Sequence, residues 1–224
     1  MADRDHPDYS RWTMRALAAL CLLASAAVIV TARAAEDQVD VAFAKFWAAG
    51  KPQDAEKAVA GIVKSGVAFD DAFARLRRGR TYSDRVMHGS LRHMRRTVAG
   101  EFIYSVEVPE TYDAAKRHQV RVQLYGGVMM RATGEPRGAG TIGPLAGAEQ
   151  IYIIPTSWRD APWWSAVQED NINAILDGVK RPYNVDENPV VLAGVSDGAT
   201  AAYYFAMRDT TPFASVLPLN GHVK

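Results

Sequence analysis

Residues 190–199 of this chain are Val190-Val191-Leu192-Ala193-Gly194-Val195-Ser196-Asp197-Gly198-Ala199. The apolar, partly β-branched start is typical of a buried strand, and residues 199–207 contain helix formers without proline or glycine. Between the two stands Gly-x-Ser-x-Gly, the sequence of a sharp strand-to-helix turn that exposes its serine. Glycines two residues on either side let the strand and the helix approach each other. Ser196 is therefore a candidate nucleophile, and the alternative is a serine that only caps the helix.

The composition is that of a folded protein with little net charge. With 224 residues, 48% of them hydrophobic, the chain has material for one sizeable core and a small accessory domain. The formal net charge is +1, so no excess of positive charge indicates a nucleic-acid partner. No cofactor is expected, and no metal either. The spacing of His88, His93 and His118 and their neighbours indicates neither a catalytic base nor a metal site.

The N-terminus has the pattern of a secretory signal. Residues 16–30 are uncharged and apolar, and Ala32-Arg33-Ala34 has the small-x-small form of a signal peptidase site. The apolar run is shorter than the roughly 20 residues that a membrane-spanning helix needs. We therefore expect a periplasmic or secreted protein with no permanent membrane span. An uncleaved anchor is the alternative, and a translation start at Met14 would give a more ordinary leading region.

The first part of the mature chain is expected to be helical. Apolar residues recur at helical spacing from residue 36 to residue 78, with breaks at Gly50-Lys51-Pro52 and Ser65-Gly66, which predicts three short helices. The arginine-rich stretch from Arg75 to Arg96 is interpreted as a solvated connector, with a site for an anionic ligand as the alternative. The predicted segments are a signal peptide (1–34), a helical accessory segment (35–80), a basic connector (81–99) and an α/β domain (100–224).

Strand patterns dominate the remainder of the chain, with one amphipathic helix from Ala166 to Val179. The first two predicted strands are expected to form an antiparallel start, and the later ones alternate with helices as a parallel sheet does. This predicts an α/β fold with Ser196 at the carboxyl end of a strand, where open sheets place their sites. The predicted strands begin at Glu101, Gln119, Gln150, Val190 and Ala214.

Two further motifs resemble a known superfamily. The segment Tyr183-Asn184-Val185-Asp186-Glu187-Asn188-Pro189 leads into the Ser196 strand, and Leu124-Tyr125-Gly126-Gly127-Val128 ends an earlier strand. From about Glu101 onward the chain resembles the α/β-hydrolase superfamily, and within it the esterase, feruloyl-esterase and polyhydroxyalkanoate-depolymerase-like serine hydrolases. That group typically carries Tyr-x-Val-Asp before the nucleophile strand and His-Gly-Gly at the second place, where this chain has Tyr125.

The resemblance implies a mostly parallel α/β-hydrolase-type sheet and an esterase activity. Ser196 would attack a small-molecule or polymer ester through an acyl-enzyme. The backbone N–H groups of Gly127 and Asp197 would form the oxyanion hole, although a plain turn also explains the two glycines. Asp186 is interpreted as a turn or cap residue. Three tryptophans either line an acyl pocket or pack a loop against the body, namely Trp158, Trp163 and Trp164.

The same resemblance leaves the triad incomplete. The superfamily order is serine, acid, histidine, and His222 follows the strand directly after the nucleophile helix, so it is interpreted as a loop residue. We therefore expect a C-terminally incomplete sequence that lacks its last strands with the acid and base, and an inactive fragment. A prolyl-oligopeptidase-like peptidase and a non-catalytic binding module on a hydrolase shell are the alternatives. The sequence indicates neither the substrate's identity nor the oligomeric state.

Overall fold

A computed structural model describes residues 36–134, 149–209 and 211–223. The predicted signal segment, residues 1–34, lies outside these ranges. The chain divides into two compact units, with the boundary between Thr81 and Tyr82. Within the described ranges, no helix is both long and apolar enough to cross a membrane.

The first unit contains the three predicted helices. They are α1 (residues 36–48), α2 (Pro52–Lys64) and α3 (Phe69–Arg78). Pro52 begins α2, where its fixed φ suits the first turn and its missing N–H is not needed. Arg75 of α3 forms an ion pair with Asp40 of α1, and its guanidinium lies over the ring of Phe43 at 5.7 Å. Polar and aromatic contacts thus join the first and third helices.

The described residues of the second unit form one six-stranded sheet in the order β1-β2-β4-β3-β5-β6. Strand β2 runs antiparallel to both β1 and β4, whereas β3 to β6 run parallel to one another. This mostly parallel sheet confirms the predicted α/β fold class. The elements are β1 (Gly89–Thr97), β2 (Gly100–Val108), β3 (Val120–Leu124), β4 (Ile151–Pro155), α4 (Ala166–Lys180), β5 (Val191–Val195), α5 (Asp197–Arg208) and β6 (Ser215–Leu219).

Strand β1 corrects one interpretation of the sequence. Residues 81–99, predicted to be a solvated connector, contain β1, which pairs with β2 along its whole length. Its exposed positions include Arg92 and Arg96, and its half-buried ones include His93, so the alternation of apolar residues that identifies a strand is absent. The ring of His93 stacks on Tyr104 of β2 at 5.1 Å. Residues 89–97 therefore form an edge strand because they pair with β2, and not because of their local propensity.

The expectation that the first two predicted strands pair with each other in antiparallel fashion is also wrong. The predicted strands at Glu101 and Gln119 are β2 and β3, and β4 lies between them in the sheet. All five residues of β3 are buried, and a strand buried on both faces belongs in the centre of a sheet between parallel partners. Strand β3 accordingly lies between β4 and β5.

One apolar core joins the sheet to α4 and α5. Val122 of β3 stands between Ile153 of β4 and Leu192 of β5, and all three are fully buried. Leu176 of α4 and Phe205 of α5 belong to the same cluster, so both helices pack against the sheet. Burying each such side chain contributes about 1.5–3 kcal/mol.

The parallel strands all end at one edge of the sheet. Residues 125–128 follow β3, residues 156–158 follow β4, Ser196 follows β5 and residues 220–222 follow β6. The carboxyl edge is where open α/β sheets bind their ligands. The candidate site is therefore built from these four connections.

Candidate active site

Ser196 occupies the turn between β5 and α5. Strand β5 ends at Val195 and α5 begins at Asp197, so the chain changes direction at a single residue. Ser196 is exposed, with φ 55° and ψ −118°, a backbone region that costs a non-glycine residue about 1–3 kcal/mol. Among the described residues only Ser196 and Asn220 are non-glycines with positive φ. The Ser196 N–H donates to the Leu219 carbonyl at 3.0 Å, which fixes the strained turn to β6.

The two glycines of Gly-x-Ser-x-Gly have no room for a side chain. A Cβ on Gly194 would overlap the carbonyl of Gly198 and lie 2.8 Å from the nitrogen of Ala199. A Cβ on Gly198 would overlap the carbonyl of Leu124 and lie 2.9 Å from its Cβ. Contacts this short force the backbone to move. Both glycines are therefore required by the close approach of β3, β5 and α5.

The 125–128 loop, which follows β3, lies directly beside the serine. A Cβ on Gly126 would lie 2.7 Å from the Cβ of Ser196 and 3.3 Å from its Oγ. Gly127 has φ 69°, a conformation that L side chains rarely adopt. The next residue, Val128, is fully buried in the core. The chain after β3 thus passes the serine hydroxyl in close contact before it returns to the interior.

Two backbone N–H groups in the residues around Ser196 are not used in hydrogen bonds within the described structure. In the part of the chain that the structure describes, no residue accepts a hydrogen bond from the N–H of Gly127 or of Asp197. The Asp197 N–H belongs to the first residue of α5, where the helix dipole favours a negatively charged oxygen. These are the two donors proposed from the sequence for the oxyanion hole. Their role in catalysis stays a prediction.

The side chain of Asp197 contacts the same loop. Its Oδ2 accepts a hydrogen bond from the N–H of Val128 at 2.7 Å, between residues 69 positions apart. The sequence reasoning missed this contact, because it considered only the backbone of Asp197. The available signal was a carboxylate in the first turn of a helix, immediately after the candidate nucleophile.

Tyr125 anchors the beginning of the loop in the core. Its hydroxyl donates to the Ser157 carbonyl at 3.0 Å and accepts from the Ser157 N–H at 2.8 Å. The indole N–H of Trp163 donates to the Tyr125 carbonyl at 2.9 Å, and the two rings make an edge-to-face contact at 5.2 Å. Gln168 of α4 is fully buried and donates to the Thr156 carbonyl at 2.8 Å. Tyr125 thus joins β3 to the β4–α4 connection. It occupies the position at which the superfamily pattern described above has histidine.

Comparison with known proteins agrees with this architecture. No protein-family model matches the sequence, and no curated protein does. Among 349 matching chains of solved structures is a thermostable esterase, with a TM-score of 0.50 and 19% identity over 60% of this chain and 41% of that one. The chain has the α/β-hydrolase fold. S-formylglutathione hydrolase (FrmB) from Staphylococcus aureus also matches, with a TM-score of 0.46 and 19% identity over 61% of each chain. The chain thus spans well under two thirds of the esterase's length.

The tryptophans of this α/β-hydrolase fold pack against other residues. Trp163 is fully buried within the core cluster. The ring of Trp158 lies 5.1 Å from that of Phe102 on β2, and Trp164 is partly buried against the core. The sequence left two alternatives for these tryptophans, lining an acyl pocket or packing a loop against the body. The contacts of Trp163 and Trp158 correspond to the second.

Asp186 lies in a turn before β5 of the hydrolase fold. Its Oδ1 accepts the N–H of Asn188 at 3.1 Å, an Asx-type turn, and its own N–H donates to the His118 carbonyl at 2.9 Å. The hydroxyl of nearby Tyr183 donates to the Met87 carbonyl at 2.8 Å. Burial raises the pKa of the Tyr183 phenol, so it remains a donor at neutral pH. The segment thus ties the chain before β5 to residues that precede β1 and β3.

No described histidine hydrogen-bonds to Ser196. His118 is buried, with its ring nitrogens 3.3 Å from the Glu149 carbonyl and 3.1 Å from the Asp113 carbonyl. His222 lies in the loop after β6, as interpreted from the sequence, with its Nδ1 3.5 Å from the Thr200 Oγ1. The described residues contain no group of three or more His, Cys, Asp or Glu that could hold a metal. The histidines described are His88, His93, His118 and His222.

Proposed function

We propose that this protein is a serine hydrolase of carboxylic esters in which Ser196 forms an acyl-enzyme intermediate. The observation that carries the proposal is the position of Ser196, which is exposed and held at positive φ between two glycines that have no room for a Cβ. Backbone strain persists only where surrounding structure over-determines it, and such residues cluster at active sites. A serine that merely caps a helix needs no such strain.

The chemistry follows from the groups around this serine. Ser196 Oγ attacks the ester carbonyl while a general base takes its proton, and the tetrahedral intermediate collapses as that proton passes to the leaving alcohol. Water then attacks the acyl-enzyme in the same way, which releases the carboxylic acid and returns the proton to Ser196. The free backbone N–H groups of Gly127 and Asp197 receive the oxyanion of each tetrahedral intermediate, and each donor contributes about 3 kcal/mol. Glycine at positions 126 and 127 leaves the backbone open to the carbonyl.

The choice of esters among acyl substrates is supported by the fold comparison. The structure that matches at a TM-score of 0.50 is that of an esterase. A small-molecule or polymer ester is the proposed substrate. The alternatives to an ester substrate are a peptide substrate and binding without turnover. Labelling and turnover measurements distinguish them.

A fluorophosphonate probe tests this proposal directly. We expect the full-length gene product to be labelled and the adduct to be found by mass spectrometry on the peptide that contains Ser196, because only an activated serine attacks the phosphorus quickly. Ser215→Ala is the matched control, since Ser215 is an exposed serine on β6 and its loss should leave labelling unchanged. An adduct elsewhere, or none, would contradict the assignment of Ser196. Labelling with turnover of peptides alone would favour a peptidase.

We further propose that the protein is exported, which rests on the apolar run of residues 16–30 and on Ala32-Arg33-Ala34. N-terminal sequencing and intact mass of protein from the periplasm or medium should give a first residue near Ala35. Ala34→Phe is the control, because it keeps the apolar run and removes the small residue that signal peptidase requires. Finding the protein in the cytosol with Met1 or Met14 still attached would rule the proposal out.

A further inference from the structure

We propose that the carboxylate of Asp197 is a positioning residue that holds the 125–128 loop against Ser196. Its catalytic consequence rests on the proposed function, whereas the contact itself does not. The carboxylate Oδ2 accepts the Val128 N–H at 2.7 Å, within the normal range for an N–H···O hydrogen bond. A hydrogen bond to a carboxylate is roughly twice as strong as one between neutral groups.

The middle of the loop needs an external tether because Gly126 and Gly127 carry no side chain that could fix it. A Cβ on Gly127 would meet nothing within 4 Å. Two glycines in succession give the backbone its widest choice of conformations. On one side of the pair, Tyr125 is held by Ser157 and Trp163. On the other side, the bond from the Val128 N–H to Asp197 is the tether.

Loss of this tether would leave the Val128 N–H without its partner. Val128 is fully buried, Asp197 is partly buried, and the hydrogen bond between them is partly buried. A buried donor left without a partner is costly, and the loop would shift to satisfy it. Any shift moves Gly126, which packs against the Ser196 Cβ.

One residue thereby sets the relative position of the nucleophile and both proposed donors. Asp197 follows Ser196 in the chain, its backbone N–H is one donor, and its side chain holds the segment that carries the other, Gly127. The negative charge of the carboxylate lies at the start of α5, where the positive end of the helix dipole compensates it.

The experiment compares Asp197→Ala with Asp197→Asn in the full-length gene product. We expect Asp197→Ala to lower kcat for p-nitrophenyl acetate about 30- to 100-fold, because a displacement of about 1 Å in a catalytic group costs on the order of 10²-fold. KM should change by less than about threefold, because the lost interaction acts in the transition state. Asp197→Asn keeps an oxygen that accepts the Val128 N–H and should retain kcat within about tenfold of the wild type.

Amide hydrogen exchange at Val128, measured by NMR on ¹⁵N-labelled protein, reads the contact without relying on activity. We expect slow exchange in the wild type and in Asp197→Asn, and exchange at least about tenfold faster in Asp197→Ala. Asp209→Ala is the matched control, because this carboxylate lies at the other end of α5, where it accepts the Thr211 N–H. It should alter neither Val128 exchange nor kcat.

The outcomes separate the contact from its role. Unchanged Val128 exchange in Asp197→Ala would overturn the contact, and faster exchange with unchanged kcat would overturn the positioning role. A loss of kcat in Asp197→Asn as large as that in Asp197→Ala would also overturn it, because the hydrogen bond would then not be what matters. Failure of the proposed function has a different signature: turnover survives Ser196→Ala, while Val128 exchange still depends on residue 197.

Discussion

Ser196→Ala is expected to lower the turnover of p-nitrophenyl acetate by the full-length gene product about 10⁶-fold, the loss found when a triad nucleophile is removed. The substitution deletes the oxygen that would form the proposed acyl-enzyme, and Ser196 is the only residue between β5 and α5. The remaining rate is that of binding and oxyanion stabilisation alone, about 10³-fold above the reaction in water. Initial rates with active-site titration measure the change.

Ser196→Ala removes the hydroxyl group without a large change in packing or stability. Alanine keeps the Cβ of Ser196, so the contact with Gly126 and the strain at φ 55° are nearly the same in both proteins. We therefore expect the thermal midpoint to stay within about 2 °C of the wild type. Ser215→Ala serves again as the control and should retain full turnover. Unchanged turnover in Ser196→Ala would remove this serine from the mechanism.

Gly194→Ala is expected to lower the free energy of unfolding by about 4 kcal/mol or more. The new methyl group would overlap the Gly198 carbonyl, and this obstacle is backbone rather than a flexible side chain. Relief requires β5 and α5 to separate, which opens the core around Leu192 and Phe205. Since domains are stable by only about 5–15 kcal/mol, a large part of the stability is lost. Urea unfolding followed by circular dichroism gives the value.

Gly178→Ala is the matched control for this prediction. Gly178 lies in α4 and is exposed, and a Cβ there would meet nothing within 4 Å. Alanine in a helix is favoured over glycine by up to about 1 kcal/mol, so the variant should be as stable as the wild type or slightly more stable. If the urea midpoint of Gly194→Ala equals that of the wild type, β5 and α5 do not approach each other as closely as described.

The features that the sequence predicts well are those set by neighbouring residues. The turn at Ser196 requires glycine at positions 194 and 198, and a buried strand and a helix flank it within a few residues. The boundaries of α2 likewise follow from Pro52 at its start and Gly66 after its end, where φ is 71°. In each case the local backbone geometry admits few residue types, so the pattern is informative.

The features that the sequence misses depend on distant partners. Strand β1 has arginine at exposed positions and histidine at an inward one, and it becomes a strand because β2 pairs with it. The position of β4 between β2 and β3 is a property of the whole sheet. The bond from Val128 to Asp197 joins residues 69 positions apart. No local pattern carries information on such contacts, whereas tertiary packing routinely overrides propensity.

The strand order β1-β2-β4-β3-β5-β6 has a consequence for synthesis on the ribosome. Strands β1 and β2 are close in sequence and can pair as soon as both have emerged. The second partner of β2, which is β4, and the second partner of β3, which is β5, are synthesised only later. Pairings between distant segments form slowly because the intervening chain must first be ordered. Ser196 follows β5, so its strained turn forms only once the centre of the sheet exists. A nascent chain therefore forms the turn that carries Ser196 late, after most of the structure that restrains it has been made.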